Sequence, residues 1–291
     1  MIEISNELVQ KLIKGQFHKW EGLPIYPVEK SGHDNRTFHL GDKMSVRLPS
    51  GKEYAPQVEK ELFWLPKLAP HLSLPISSPI ASGHPTEDYP FPWSINQWIN
   101  GDTLTYDNVK DLNQFAIDLA RFLQELQAID TSGGPIAGSD NFHRGGLLSI
   151  YNEGTQVALK SLKSVVPVEK LSNIWSIALG SKWVKKNVWV HGDIAPGNLL
   201  VNNGRLCAVI DFGILGIGDP SCDYAIAWTF LDVDSRNAFF QELECDEDTR
   251  SRARGWALWK ALITYNDGNP VIAENAKHTV GVILDDYNKH Y

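Results

Sequence analysis

The sequence predicts an α+β fold with two lobes, a small N-terminal lobe of sheet plus helix and a larger, mainly helical C-terminal lobe. The first hundred residues contain a helix, a pair of strands and a second helix. Beyond Gly101, hydrophobic residues recur mostly with helical spacing, and a strand pair near residues 188–213 interrupts the helices. We therefore place the first lobe at residues 1–97 and the second at residues 98–291.

The composition limits the class of protein. The chain has 291 residues, of which 43% are hydrophobic and 21% charged, as is typical of a globular protein of about two domains. A formal net charge of -8 disfavours a nucleic-acid partner. No apolar run approaches the roughly 20 residues of a membrane span, so we expect no membrane association. Three cysteines without CxxC spacing favour a reducing, cytoplasmic location.

The elements of the first lobe follow from short patterns. Strands are predicted at Thr37–Leu40 and Met44–Leu48, joined by a two-residue turn at Gly41 and Asp42. A helix is predicted at about Gln57–Leu68. The proline-rich passage after it cannot form a long helix, so we expect edge strands and turns up to residue 93.

The second lobe is predicted to begin with an amphipathic helix. The segment DLNQFAIDLARFLQELQAID has one apolar stripe, formed by Leu112, Phe115, Leu119, Phe122, Leu123 and Leu126. A stripe of this width indicates a helix that packs on one face against a core.

A hairpin is predicted where Asn203 and Gly204 separate the runs LLV and LCAVI. A type I′ turn requires positive φ at both central positions, and Asn-Gly meets that requirement. Counting outward along the two strands brings Asn198 and Asp211 together at the open end of the hairpin. Their oxygen atoms are the kind of ligand that Mg2+ prefers.

Asp193 lies five residues before Asn198, so a loop can bring its carboxylate beside that metal site. A carboxylate there is suited to orient a hydroxyl and accept its proton. We expect His191 to support the loop backbone by hydrogen bonding.

The segment VWVHGDIAPGNLLVNNGRLCAVIDFG contains H-G-D-x-x-x-x-N followed by I-D-F-G, which resembles the catalytic loop and metal-binding motif of the protein-kinase-like fold. Gly192, the P-G-N that follows, and GDPSCDYA at residues 218–225 resemble the aminoglycoside phosphotransferase family, including its choline-kinase-like relatives.

The resemblance implies a kinase that transfers the γ-phosphate of ATP or GTP to a hydroxyl of a small molecule. It implies Asp193 as the catalytic base, Asn198 and Asp211 as the Mg2+ ligands, and Asp223 as a residue that supports the loop. The first lobe then binds nucleotide, and the second carries catalysis and acceptor binding.

A kinase-like first lobe needs a cation on a strand and a helical Glu that holds it. Arg47 shares a strand face with Ser45, opposite the apolar residues of that strand. Glu61 follows fourteen residues later in the predicted helix, with Glu59 as the rival partner. The family more often has Lys on this strand, so Arg47 is a departure that is expected to alter nucleotide position or preference.

The segment SGHDNRTF occupies the place of the phosphate-covering loop but contains a single glycine. Ser31, His33 and Asn35 are candidate donors to phosphate oxygens, and an ordinary polar turn explains them equally well.

The acceptor is left open by the sequence. Seven acidic residues against one basic residue, Arg236, occur between positions 232 and 248: Asp232, Asp234, Glu242, Glu244, Asp246, Glu247 and Asp248. They are suited to attract a cationic acceptor such as an aminoglycoside, and a solvated helical face explains them too. Four aromatic residues are equally consistent with an acceptor pocket and with a core: Trp256, Trp259, Tyr265 and Tyr287.

Three functions remain. The first is a small-molecule O-kinase, for which an aminoglycoside, macrolide, choline, homoserine or sugar is a possible acceptor. A protein kinase is disfavoured, because no APE-like segment follows I-D-F-G and Gly192 replaces the Arg that receives an activation-loop phosphate. The third is a nucleotide-binding pseudoenzyme, which Arg47 and the poor glycine loop favour and the intact Asp193, Asn198 and Asp211 oppose.

Overall fold

The computed structural model describes residues 3–29, 32 and 34–290, with the side chain of residue 290 excepted. The chain forms two compact units. The first comprises Met1–Asp102 and Cys207–Gly213, and the second comprises Thr103–Leu206 and Ile214–Tyr291. The short segment Cys207–Gly213 belongs to the first unit, and the lobe bounds at residues 97 and 98 stay a prediction.

The first unit contains an antiparallel five-stranded sheet in the order β1-β2-β3-β5-β4. Its strands are β1 (Ile25–Pro27), β2 (Asn35–Leu40), β3 (Met44–Pro49), β4 (Pro79–Gly83) and β5 (Trp93–Gln97). The predicted strand pair is confirmed by β2 and β3. The turn is wrong by one residue, since Leu40 pairs with Met44 and leaves the three residues 41–43 in the loop.

One face of this sheet packs against α1 (Asn6–Gln16). Ser5 caps the start of the helix, since its hydroxyl accepts a hydrogen bond from the Leu8 N–H. The shared core consists of Val9, Leu12, Ile13, Ile25, Phe38, Leu40, Val46, Leu48, Tyr89, Trp93 and Ile95. Because α1 supplies the apolar cover for Val46 and Leu48, the opposite face of β3 is left to its polar residues.

The helix predicted after the strands is confirmed as α2 (Ala55–Leu68). Its apolar residues Val58, Leu65 and Leu68 are buried, and so is Glu61. A buried carboxylate needs a partner, because burial disfavours the charged form.

The second unit is mainly helical, as predicted. Its helices are α3 (Leu112–Ala128), α4 (Asn152–Ser161), α5 (Val168–Gly180), α6 (Ile226–Thr229), α7 (Val233–Glu242), α8 (Glu247–Ile263) and α9 (Pro270–His290). The apolar stripe predicted for α3 is buried except at Leu112, which is half-buried. Within the described ranges, no helix has both the length and the apolar character that crossing a membrane requires.

The remaining strands are short. They are β6 (Asp102–Thr103), β7 (Val188–Val190), β8 (Leu199–Asn202), β9 (Arg205–Val209) and β10 (Gly216–Gly218). Asn203 and Gly204 between β8 and β9 have φ angles of 53° and 83°, so the predicted turn with two positive φ angles is confirmed. β7 pairs with β10 in antiparallel fashion, and His191 directly follows β7.

Candidate active site

The loop that follows β7 is held by one buried carboxylate. Asp223 accepts hydrogen bonds from the His191 and Gly192 N–H groups, through Oδ2 and Oδ1 respectively, each at 2.7 Å. Asp223 is completely buried. Burial raises the pKa of Asp223, while His191 and the two amide donors oppose that rise. The paired N–H groups therefore compensate a carboxylate that has no access to water.

The segment that carries Asp223 is anchored in turn. Asp219 caps the 3-10 helix Pro220–Ala225 by accepting from the Ser221 N–H, and its other oxygen accepts from Arg252 Nε at 2.6 Å. Both members of this ion pair are buried. Asp219 and Arg252 are not among the predicted site residues, although an Asp followed by Pro is a readable signal for the start of a helix.

Gly192 is required by the path of this loop. Its φ is 87°, and a methyl group on its Cα would lie 2.7 Å from the carbonyl oxygen of Ile214. The left-handed conformation costs little for glycine and much more for other residues. The positive φ and the close carbonyl oxygen thus explain why this loop has H-G-D where protein kinases have H-R-D.

Asp193 is exposed, and its orientation is fixed by neighbours in the chain. The Asp193 N–H donates to His191 Nδ1 at 3.1 Å, so the imidazole accepts through Nδ1. Asn198 Nδ2 donates to both the backbone oxygen and the Oδ2 of Asp193, each at 2.9 Å. The loop therefore presents a solvent-accessible carboxylate with a restricted set of orientations.

The first unit contains a second charged cluster. Arg47 of β3 donates through Nη1 to both carboxylate oxygens of Glu61, at 3.0 and 2.9 Å. Its Nη2 donates to Oδ1 of Asp211 at 2.8 Å. Glu61 and Arg47 are buried, whereas the Asp211 side chain is 41% exposed. The rival Glu59 is exposed and is not the partner that Arg47 binds.

The charges of this cluster depend on one another. Burial by itself lowers the pKa of Arg47, but the carboxylates of Glu61 and Asp211 outweigh burial and raise it above its ordinary value. Burial raises the pKa of Glu61, and Arg47 opposes that rise. Moving Arg47 away from Glu61 would leave a buried charge without a partner, which costs free energy. The ion pair therefore fixes the orientation of the Arg47 side chain.

Asp211 has a φ of 65°, which is unusual for a residue other than glycine. Strained backbone of this kind is frequent at functional sites. One of its oxygens contacts Arg47, and the exposed fraction leaves the carboxylate accessible to a ligand.

The two predicted metal ligands fit Mg2+ by their chemistry. Asp211 offers a carboxylate, and Asn198 offers an amide oxygen, since its Nδ2 is the atom that donates to Asp193. Among the described residues, no group of three or more His, Cys, Asp or Glu side chains has an arrangement suited to a metal. Mg2+ normally binds only one or two protein ligands, because phosphate and water complete its coordination shell.

The candidates of the phosphate-covering loop are only partly described. Ser31 and His33 lie outside the described residues. Asn35 begins β2, pairs with Pro49 across the sheet, and is buried. Its role as a donor to phosphate remains a prediction.

The acidic residues between positions 232 and 248 mostly have local partners. Asp232 caps α7 and Asp246 caps α8 by accepting backbone N–H groups. Glu242 binds Arg121, and Glu247 contacts Arg250. The ion pairs of Glu242, Glu247 and, with Lys185, Asp246 reduce the negative charge that remains to attract a cation. The cap of Asp232 leaves its charge in place.

The four aromatic candidates differ in their surroundings. Trp256 and Trp259 of α8 are buried. Tyr265 is half-buried near the end of that helix, and the Tyr287 hydroxyl accepts a hydrogen bond from Asn173.

Comparison with known proteins identifies a family and a set of similar folds. A model of the phosphotransferase enzyme family matches residues 28–257, which is well over half of the chain. Mouse (Mus musculus) protein-tyrosine kinase 6 is 20% identical over 210 residues, or 69% of this chain and 44% of that protein. The chain spans less than half the length of the curated relatives that it matches.

Three solved structures are similar over nearly the whole chain. The GDP complex of wild-type aminoglycoside 2'-phosphotransferase-IIIa is 18% identical, with a TM-score of 0.72, and the match covers 99% of this chain and 100% of that one. The streptomycin-ATP-APH(2'')-IIa ternary complex is 19% identical, with a TM-score of 0.60 and 97% coverage of each chain. A macrolide 2'-phosphotransferase from Brachybacterium faecium is 18% identical, with a TM-score of 0.62 and coverage of 94% and 97%.

These likenesses confirm the predicted α+β fold with a small sheet lobe and a larger helical lobe. The family match confirms the resemblance drawn from H-G-D-x-x-x-x-N and I-D-F-G. The chain belongs to the phosphotransferase enzyme family.

Proposed function

We propose that this protein is a small-molecule O-phosphotransferase that moves the γ-phosphate of ATP or GTP to a hydroxyl. The observation that carries the proposal is the exposed Asp193 carboxylate, oriented by Asn198 on a loop that Asp223 holds through two backbone N–H groups. Phosphoryl transfer requires mainly positioning and electrostatic stabilisation, and a rigid loop with one accessible carboxylate supplies the first.

Asp193 accepts the proton of the acceptor hydroxyl as the oxygen attacks the γ-phosphorus. The hydrogen bond from Asn198 Nδ2 to Oδ2 orients the carboxylate and leaves Oδ1 and the second lone pair of Oδ2 to receive the proton. His191 maintains the loop by accepting the Asp193 N–H.

Arg47 binds phosphate oxygens of the nucleotide, and Glu61 holds Arg47 through both carboxylate oxygens. An Arg presents several donors in one plane, which suits two phosphate oxygens at once. Asn198 and Asp211 hold Mg2+, which neutralises charge on the phosphate oxygens when it is bound. Further donors to the phosphate oxygens of the nucleotide are Asn35, Ser31 and His33.

The nucleotide and acceptor are proposed only as classes. The similar solved structures include complexes with GDP, ADP or ATP, and they are phosphotransferases of aminoglycosides and macrolides. For this chain, the candidate acceptors are those compounds together with choline, homoserine and sugars. Three free cysteines and the need for ATP or GTP fit a cytoplasmic protein.

The test is acceptor-dependent release of ADP or GDP by the wild type and by Asp193→Asn, with Mg2+ and the candidate acceptors. We expect Asp193→Asn to lower turnover by at least about 100-fold, as is typical when a general base is removed. Nucleotide binding, measured by calorimetry, should remain because Asp193 acts on the acceptor.

Asp107→Asn is the matched control, since Asp107 is also exposed and carries the same charge. It should keep wild-type turnover. Unchanged turnover in Asp193→Asn would refute the role of Asp193. Nucleotide binding without turnover on any acceptor would instead favour a nucleotide-binding pseudoenzyme.

A further inference from the structure

Arg144 of the second unit makes cation–π contacts with two tryptophan rings. Its guanidinium carbon lies 5.0 Å from the ring centroid of Trp256 and 5.2 Å from that of Trp259. Tyr151 packs against both rings, at centroid distances of 5.4 and 3.8 Å. The rings stabilise the cation through their faces, which leaves the N–H edge of the guanidinium for another partner.

Arg144 differs from the other arginines of this unit that the structure describes. Each of the others pairs with a carboxylate: Arg121, Arg205, Arg236, Arg250, Arg252 and Arg254. Arg144 has no such ion pair among the described residues, and its buried Nε has no hydrogen-bond partner there. Arg250 Nε also has no hydrogen-bond partner there, but Arg250 has its ion pair with Glu247. Since buried donors are normally satisfied, the Nε of Arg144 is a position for an acceptor atom of a water or a ligand.

A second buried donor lies beside Arg144. The Nε1 of Trp256 also has no hydrogen-bond partner within the described ranges, and Trp256 is only 3% exposed. Indole Nε1 is a donor only, so both orphaned groups require an acceptor atom. Two donors of which one is cationic favour an anionic oxygen group.

Arg144 is adjacent to the catalytic loop. A methyl group on Gly192 would lie 3.2 Å from both Cβ and Cγ of Arg144, and Gly192 directly precedes Asp193. The Asp219 N–H donates to the Gly145 carbonyl at 2.8 Å, and Asp223 of the same segment binds the catalytic loop. One short segment therefore holds both Arg144 and Asp193 in place.

The loop of Arg144 also passes unusually close to β10. A methyl group on Gly218 would lie 2.0 Å from the carbonyl oxygen of Gly145, and Gly145 has a φ of 79°. The backbone on the C-terminal side of Arg144 is thereby fixed.

We propose that Arg144 and Trp256 bind an anionic group of the acceptor, so that the physiological acceptor is a hydroxyl compound carrying a carboxylate or a phosphate. The inference names the acceptor class of the active site and rests on the proposed function. Arg144 binds the anion through its N–H edge, and Trp256 Nε1 adds one hydrogen bond. The hydroxyl of the same molecule then lies beside Asp193.

The first experiment measures binding by ligand-observed NMR with the full chain, ADP and Mg2+. The probes are a matched series in which only the charged group changes: glycerol, glycerate and glycerol 3-phosphate, followed by glucose and gluconate. Choline and kanamycin represent cationic acceptors. We expect the anionic members to bind more tightly than their neutral partners, and comparison of glycerate with glycerol 3-phosphate identifies the preferred anion.

The variants test whether Arg144 causes that preference. Arg144→Gln should remove the preference for anions, and Trp256→Phe should reduce it while keeping the ring. Arg121→Gln is the control, because Arg121 is exposed and binds Glu242 in the same unit. For an anionic acceptor that is phosphorylated, Arg144→Gln should raise KM by about 10- to 100-fold with little change in kcat, since the lost contacts are charge-assisted hydrogen bonds made in the ground state.

The outcomes separate this inference from the proposed function. Transfer to neutral or cationic acceptors that Arg144→Gln does not alter would overturn the inference and leave phosphotransfer intact. Absence of Arg144-dependent binding of every anionic probe overturns it as well, whether or not transfer occurs. Arg144-dependent anion binding combined with full turnover in Asp193→Asn would support the anion site and refute the assigned base.

Discussion

At the scale of single residues, the candidate site depends on a few hydrogen bonds that fix the loop around Asp193. Asp223 uses both oxygens on the N–H groups of His191 and Gly192, and Asn198 orients Asp193. The orientation of the Asp193 carboxylate therefore depends on Asn198 and on the buried Asp223.

Gly192→Ala tests this dependence. Alanine at a φ of 87° is strained, and its methyl group would lie 2.7 Å from the Ile214 carbonyl oxygen. We expect a loss of about 2 kcal/mol or more in the free energy of unfolding, together with a lower kcat. Urea unfolding and ADP release measure the two effects.

Gly197→Ala is the control for that substitution. Gly197 has no heavy atom within 4 Å of an added methyl group and is not at positive φ. Equal effects of the two substitutions would contradict the requirement for glycine at position 192.

The residues that sequence could identify are those whose partners are near in the chain or follow a fixed spacing. Asp193 and Asn198 are five residues apart, and Arg47 is fourteen residues from Glu61. Arg144 was not identified, because its contacts with Trp256, Trp259 and Gly192 arise only when distant segments pack together. Whether Asn198 and Asp211 share a metal ion remains a prediction.

At the scale of elements, α8 supplies the rings around Arg144, and its start depends on Asp246. Asp246 accepts the Thr249 N–H at 2.7 Å and binds Lys185 at 2.7 Å. Burial by itself raises the pKa of Asp246, but the hydrogen bonds from Lys185 and Thr249 outweigh it and lower the pKa from 3.8 to about 2.

Asp246→Ala should therefore lower the free energy of unfolding by about 1 kcal/mol near pH 7, the usual value for loss of an N-cap. Because the pKa is lower in the folded state, the contribution of Asp246 is present above about pH 4 and is lost as the pH falls towards 2. Unfolding in denaturant at pH 7, 5 and 3 measures this trend.

Asp248→Ala serves as the control, since Asp248 is exposed in the first turn of the same helix and is not its cap. Its effect should be a few tenths of a kcal/mol. A difference between Asp246→Ala and wild type that grows as the pH falls would be inconsistent with the lowered pKa.

The elements with strong periodicity or turn signals were predictable. The helices α2 and α3 and the Asn203-Gly204 turn are confirmed, because local patterning determines them. The turn after β2 was wrong by one residue, since glycine at positive φ is compatible with both two- and three-residue hairpin loops. The inclusion of Cys207–Gly213 in the first unit was not predictable from linear sequence.

At the scale of the whole molecule, family membership and fold agree with a nucleotide-dependent activity, which can be tested without an acceptor. ATP or GTP with Mg2+, at about 100 times its Kd, should stabilise the folded protein by about 2.7 kcal/mol. For 291 residues, this corresponds to a rise of roughly 4 °C in Tm. Removing Mg2+ with EDTA should abolish most of the rise.

Asp211→Asn should reduce the same rise in Tm, because it weakens a proposed Mg2+ ligand. Asp107→Asn should leave it unchanged. An equal rise with and without Mg2+ would contradict the proposed metal dependence.

The close approach of Gly145 and Gly218 separates two properties of the protein. The Gly145 carbonyl oxygen approaches Gly218 so closely that the backbone beside Arg144 is held against β10, while Cβ and Cγ of Arg144 lie next to Gly192. On the proposed function, substitutions at position 144 that keep Cβ and Cγ, such as Arg144→Gln, are expected to change acceptor preference more than kcat. Alanine at position 145 or 218 is instead expected to shift that backbone and so to change acceptor preference and turnover together.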